Sequence, residues 1–255
     1  MKNILSVDYD FFVREDPMWD YGHDENSNIF KTIAWFARYG TQDLYEECDF
    51  KYADFYPIEL IERLKEKGFL FSEDIKIGIA DSHKDAYDFV KEQGRCDLYN
   101  FDAHHDMYKG NKVLDCGNWL AKLIKARLVA KAIWVKPRWL KEFGLGIDHI
   151  DKLKQCFWED LPTQNPNIKF DAVFFCRSGA WVPPHHDADF LRMASCALRY
   201  TSGRTHGYGD FALRKCFTRE EAKKQFDKTQ EMVKKFRMDM KRDKKDEIPR
   251  CKGNK

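Results

Sequence analysis

Short apolar runs that break at acidic or histidine residues recur along the chain, separated by segments of helical spacing. The first run, "NILSVDYDFF", reads as a strand. "SNIFKTIAWFARY" and "YPIELIERLKEKG" repeat apolar residues at helical intervals, with Ser27 placed to cap the first and Gly68 to close the second. "DIKIGIADSH" and "CDLYNFDAHHD" read as strands, "CGNWLAKLIKARL" as a helix and "KAIWV" as a short strand ahead of Pro137. "FDAVFFCRS" is a strongly apolar strand, followed by the loop "GAWVPPHHD" and the helix "DADFLRMASCALRY". Near-continuous apolar strands suit a sheet covered on both faces. Their alternation with helices predicts a three-layer α/β/α domain with a mostly parallel sheet, its first strand central and ending near Asp8.

Beyond this pattern the composition shifts. Residues 1–215 are expected to form the α/β domain. Residues 216–255 are charged and lysine-rich, with Phe226, Val233, Phe236 and Met240 roughly on one helical face, and predict an amphipathic helix with a frayed tail. A basic arm that engages a partner is the other reading of that segment. "GRTHGYGD", with three glycines and His206, reads as a mobile loop or a lid.

At 255 residues, with 43% hydrophobic and 15% aromatic content, the chain can bury a sizeable core. A formal net charge of +2 gives no argument for nucleic acid or an anionic membrane. No apolar run is long enough to span a bilayer. The N-terminal apolar stretch is interrupted by aspartates and reads as mature protein, so a cytoplasmic location is the default expectation. None of the eight cysteines forms a C-x-x-C pair, which argues against structural zinc and for reduced thiols.

Three strand candidates end in acid or histidine: "SVDYD", "ADSH" and "FDAHHD". In parallel α/β sheets ligands bind outside the carboxyl ends of the strands, so these tips are expected to converge. Residues two apart on an extended backbone point the same way, which pairs Asp8 with Asp10 and aligns Asp102, His104 and Asp106. The four aspartates bring four negative charges; His83 and His104 add neutral nitrogen. Left alone, such carboxylates repel one another. Two divalent cations balance them, and a carboxylate-rich set with imidazole favours Mn²⁺ over zinc. A polar turn closing a strand is the plainer reading of any one of these segments; the three together point to a dinuclear site.

On these residues the chain resembles the arginase and agmatinase superfamily. "DAHHD" matches its Asp-Ala-His-x-Asp motif, "SVDYDFF" is similar to Ser-x-Asp-x-Asp, and "ADSH" is similar to Gly-Gly-Asp-His. The resemblance covers roughly residues 1 to 190. It implies two Mn²⁺ ions: one held by His83, Asp102, Asp106 and Asp8, the other by Asp102, His104, Asp8 and Asp10, with Asp8 and Asp102 bridging. The motif order departs from ordinary arginases, where Ser-x-Asp-x-Asp comes last, and implies a circular permutation of the fold. With "MWDYGHDE" after the first motif and "WVPP" near the end, the chain looks like a divergent branch that includes the peptide arginases, which convert arginine side chains to ornithine within ribosomal peptides.

The resemblance implies hydrolysis of a guanidinium group to an amine and urea. That chemistry needs a carboxylate to hold the guanidinium and a proton shuttle for the leaving amine. Arginases carry a histidine in a Gly-Asn-x-His context. Here "CGNWL" keeps Gly117 and Asn118 but has Leu120 at the histidine position. "WDYGHDE" offers His23 as shuttle and Glu25 as guanidinium partner, with Asp20 as competitor; a polar solvent-facing loop is the alternative. Asn118, Arg177, Trp181, His185 and His186 are further candidates for contact with substrate, and a rigid structural loop around Trp181 is the alternative for the last four. The expected partner is an arginine-containing peptide, with no nucleic acid and no membrane, and the oligomeric state is left open. A small-molecule ureohydrolase, a metal-dependent amide hydrolase and a non-catalytic metal-binding interaction protein are the competing readings.

Overall fold

The computed structural model describes residues 1–15, 26–144, 149–162, 168–199, 205–208 and 213–246. In chain order the elements begin with β1 (Lys2–Asp8), α1 (Asn28–Thr41), α2 (Leu44–Glu47), α3 (Leu60–Glu66) and β2 (Leu70–Ala80). They continue with α4 (Ala86–Gln93), β3 (Cys96–Phe101), α5 (Trp119–Lys125), β4 (Val129–Lys136), α6 (Arg138–Glu142) and β5 (Lys154–Phe157). Last come β6 (Lys169–Cys176), α7 (Asp187–Leu198), β7 (Thr205–Tyr208) and α8 (Arg219–Asp246).

Seven strands form one parallel sheet in the order β5-β4-β3-β1-β6-β2-β7, which puts β1 in the middle. Both faces are covered, as the apolar strands require. Ile4, Leu98, Trp134 and Phe174 point into one core shared with α4 and α5. Their neighbours Leu5, Tyr99, Val135 and Phe175 point the opposite way and are also buried. This is the expected three-layer α/β/α arrangement. In β1 alone Ile4, Leu5 and Val7 are fully buried, worth about 1.5–3 kcal/mol each. At Gly78 of β2 a Cβ would lie 2.7 Å from Phe174 and 2.8 Å from Phe89, so only glycine lets α4 approach this closely.

The sequence pattern misses β5, whose four residues sit at one edge, and the helix α4. "GRTHGYGD" is corrected in part: Thr205–Tyr208 is the edge strand β7 beside β2. The chain forms two compact units, 1–27 with 44–216 and 28–43 with 217–255. The segment expected as a C-terminal helix therefore has α1 as its companion. In that second unit Phe36 meets Phe217 edge-on with ring centroids 4.8 Å apart, and Gly40 lets the Lys223 backbone approach to 3.2 Å of its missing Cβ. Phe226 is half-buried and Val233 exposed; the side chains of Phe236 and Met240 lie outside the description. Cys48, Cys96, Cys116, Cys156, Cys176, Cys196 and Cys216 are all free thiols, and Cys251 lies outside the described residues. Among the described residues, no helix is long and apolar enough to cross a membrane.

Candidate metal centre

Three strands deliver their tips to one place. At the end of β1, Asp8 caps a 3-10 turn (Tyr9–Phe11), its Oδ1 accepting from Asp10 N at 3.3 Å, and this turn folds Asp10 back beside it. After β2, Ser82 caps the turn that carries His83, its Oγ accepting from Lys84 N at 3.2 Å. After β3, Asp102 Oδ1 accepts from His104 N at 2.7 Å. Asp106 follows with φ +52°, a left-handed conformation that aspartate tolerates better than most residues. The four aspartates and His83 are at most 3% exposed.

Two histidines organise the cluster. His83 Nδ1 lies 3.1 Å from Asp8 Oδ2, 3.0 Å from Asp102 Oδ2 and 3.0 Å from Asp106 Oδ2. That nitrogen is buried and makes no hydrogen bond, despite the three oxygens around it. Its partner nitrogen Nε2 is 2.7 Å from Ser6 Oγ, which holds the ring with Nδ1 toward the carboxylates. His104 Nδ1 lies 3.0 Å from Asp10 Oδ2 and 3.8 Å from Asp102 Oδ1, while its Nε2 lies 3.5 Å from Glu15 Oε2. Asp102 thus turns one oxygen to each histidine. Asp8, His83 and Asp102 form one group able to hold an ion; Asp10, Glu15 and His104 form a second.

The electrostatics of the cluster suit a cation. Among the described residues, Asp8, Asp10, Asp102 and Asp106 pair with the two histidines and with no Lys or Arg. Burial, reinforced by Asp10, pushes Asp8 up to about 6. Burial raises Asp102 well above the usual carboxylate range, with Asp106 and Asp10 adding to it. For both histidines burial acts downward, but the surrounding carboxylates outweigh it and raise them well above their ordinary value. Asp106 moves the other way, because His83 overcomes its burial. Asp8, Asp102 and both histidines thus favour their protonated forms. Divalent ions fit the oxygen and nitrogen donor set and the unbonded His83 Nδ1.

An outer layer of hydrogen bonds fixes these side chains. Asn100 Nδ2 donates to Asp102 Oδ2 at 2.9 Å, Ala103 N donates to Asp10 Oδ1 at 3.1 Å, and the Trp119 indole N–H donates to Asp106 Oδ2. The His83 ring lies parallel to Phe174 and tilted against Trp119. Such supports set ligand orientation and basicity. Glu15, Asn100 and Trp119 were not singled out by sequence reasoning, and Ser6 entered only as the first residue of "SVDYD". Ser6 and Asn100 had a signal, since each is a polar residue inside an apolar strand, two positions before a ligand. Glu15 and Trp119 had none.

The substrate-contact candidates fare differently. Asp20, His23 and Glu25 lie outside the described residues. Trp181 stands at the site, its ring centroid 5.3 Å from that of His104. Three others turn into the scaffold. Asn118 accepts from Asp115 N at 3.1 Å and donates to Val113 O at 2.8 Å, closing its own loop. Arg177 is buried and donates to Asp81 at 2.7 Å and to Asp187 at 2.9 Å. His186 is buried with Nε2 2.8 Å from Cys48 O. His185 stacks on Tyr45 with centroids 4.4 Å apart. Arg214 binds Asp187 together with the carbonyls of Gly179 and Val182, so the loop after β6 is locked from behind.

Comparison with protein-family models, with curated proteins and with solved structures finds no match, so the functional reading stands on this geometry.

Proposed function

We propose that this chain is a dinuclear, Mn²⁺-dependent guanidino hydrolase that converts arginine side chains, within a peptide, to ornithine and urea. The observation that carries the proposal is Asp102, placed between His83 and His104 with one oxygen toward each. A shared carboxylate between two histidine-anchored groups suits two ions held side by side. His83, Asp8, Asp102 and Asp106 would hold one; His104, Asp10 and Asp102 would hold the other. When bound, such ions lower the pKa of water and polarise the group it attacks.

The protein's own residues supply charge and position. Asp8, Asp10, Asp102, Asp106 and Glu15 are five carboxylates, and two divalent cations neutralise four of them. The remaining negative charge favours a cationic substrate such as a guanidinium over a neutral amide. Trp181, beside His104, gives a flat face on which a planar cation can lie. The motif resemblance to arginases supports the same chemistry. The proton for the leaving amine is assigned to His23 and the guanidinium contact to Glu25, both on the segment after Glu15.

The test is incubation of the Mn²⁺-loaded protein with arginine-containing peptides, free arginine, agmatine and acetyl-lysine peptides, read by mass spectrometry and urea assay. The proposal expects a loss of CH₂N₂ per arginine and stoichiometric urea from the peptide. Turnover of free arginine or agmatine alone would shift the assignment to a small-molecule ureohydrolase. Deacetylation would make it an amide hydrolase. Metal binding without turnover of any of these would leave an interaction protein.

A further inference from the structure

A recess beside the candidate metal centre carries the opposite charge. Its volume is about 970 Å³, and its wall includes Lys109, Lys112, Lys122, Lys125, Arg127 and Lys152. Among the described residues that line it, Asp151 is the one carboxylate beside these six cations. Among the described residues, none of the six pairs with a carboxylate; Lys122 Nζ donates to the Lys112 carbonyl at 2.8 Å. A chain with a formal net charge of only +2 has therefore gathered unneutralised positive charge in one concavity. Like charges gathered in one concavity focus a positive potential, which raises the local concentration of anionic ligands.

The recess and the metal centre share a wall. Met107, which lines the recess, follows the ligand Asp106 directly in the chain. Ala121, also in the lining, donates its backbone N–H to the Asp106 carbonyl at 3.3 Å. Trp119, whose indole N–H holds Asp106, begins α5, and Lys122 and Lys125 lie on that same helix. The recess therefore adjoins the stretch of chain that carries Asp106.

We infer that this recess binds an acidic segment of the peptide whose arginine is processed at the metal centre. The inference rests on the peptide reading of the proposed function. The cations are spread over three stretches of chain, 109–112, 122–127 and 152, around a floor that includes Met107 and Ile124. Separated charges over an apolar floor match several carboxylates along a peptide better than one compact phosphate. The recess would then select acidic peptides and hold them while the arginine enters the site.

The test uses the full chain and a fluorescein-labelled acidic peptide without arginine, so that binding is read by anisotropy without turnover. Binding is expected with or without Mn²⁺, to weaken with added salt, and to fall about tenfold or more in the double variant Lys112→Glu, Lys125→Glu with manganese content unchanged. The control double variant Lys228→Glu, Lys234→Glu, on exposed positions of α8, is expected to bind as the parent does. Equal binding of a neutral scrambled peptide, an undiminished affinity in the first variant, or displacement of the peptide by inorganic phosphate at equal concentration would overturn the inference. Acidic-peptide binding in a chain that releases no urea would uphold the recess and count against the hydrolase alone.

Discussion

Ser6 Oγ lies 2.7 Å from His83 Nε2, deep at the end of the central strand. Two residues before Asp8, a hydroxyl thereby decides which imidazole nitrogen faces three carboxylates. A metal-ligating histidine is held by its other nitrogen in this way, and loss of such a partner typically costs about 10–100-fold in metal affinity. Ser6→Ala is therefore expected to fold normally and bind Mn²⁺ about 10–100-fold more weakly. Calorimetric titration of the stripped protein checks this; unchanged affinity would show that Ser6 is only filling space.

Glu15 Oε2 stands 3.5 Å from His104 Nε2, and Asp10 Oδ2 stands 3.0 Å from Nδ1 of the same ring. Glu15 plays for His104 the part Ser6 plays for His83, with a charge added. Glu15→Gln is expected to lower manganese content from two ions toward one, sparing the ion at His83. Asp106→Asn is expected to spare the ion at His104 instead. Elemental analysis after gel filtration distinguishes the two variants, and equal loss of both ions in each would argue against separable groups.

Manganese binding should be strongly pH-dependent. Burial, together with Asp10, raises Asp8 to about 6 in the metal-free fold, so below that pH a proton competes for the ligand. Asp102 and both histidines are shifted in the same direction. Affinity is expected to climb between about pH 5 and pH 8, with net proton release on binding. Titrations in two buffers of different ionisation enthalpy read that release directly. Flat affinity over this range would contradict competition between protons and the metal at Asp8 and its neighbours.

A stability prediction comes from outside the centre. Burial pushes Asp54 up to about 6, only partly offset by the Arg138 N–H that donates to it at 2.9 Å. Because the folded pKa exceeds the unfolded one, the fold prefers the protonated form. Stability from this group is fully present below pH 3.8 and is lost as pH rises through about 6. Asp54→Asn keeps an acceptor for Arg138 N without the charge. It should be more stable than the parent by about 1–2 kcal/mol at pH 8, with the gain vanishing near pH 4. Urea unfolding of both proteins at the two pH values measures the difference.

The fold and the convergence of the six acidic and histidine side chains were legible for one physical reason. A parallel sheet buried on both faces demands apolar strands, so a charged residue at a strand end stands out against "ILSV" or "LYNF". The short edge strands β5 and β7 lack that contrast. "KQCF" is half polar, and "THGY" is embedded among glycines. Loop residues were harder to read because a polar side chain looks the same in sequence whether it faces a cleft or ties down the scaffold. Arg177 seemed a substrate contact but is held between Asp81 and Asp187; Asn118 closes its own turn. Glu15 carried no periodic signal, since it enters the site through a turn.

The most direct test of the dinuclear centre is crystallography of the Mn²⁺-loaded protein with anomalous data at the manganese edge. The geometry predicts two anomalous peaks. One should lie off His83 Nδ1 among Asp8, Asp102 and Asp106, the other off His104 Nδ1 beside Asp10, with Asp102 reaching both. A single peak, or peaks away from these side chains in fully loaded crystals, would contradict it.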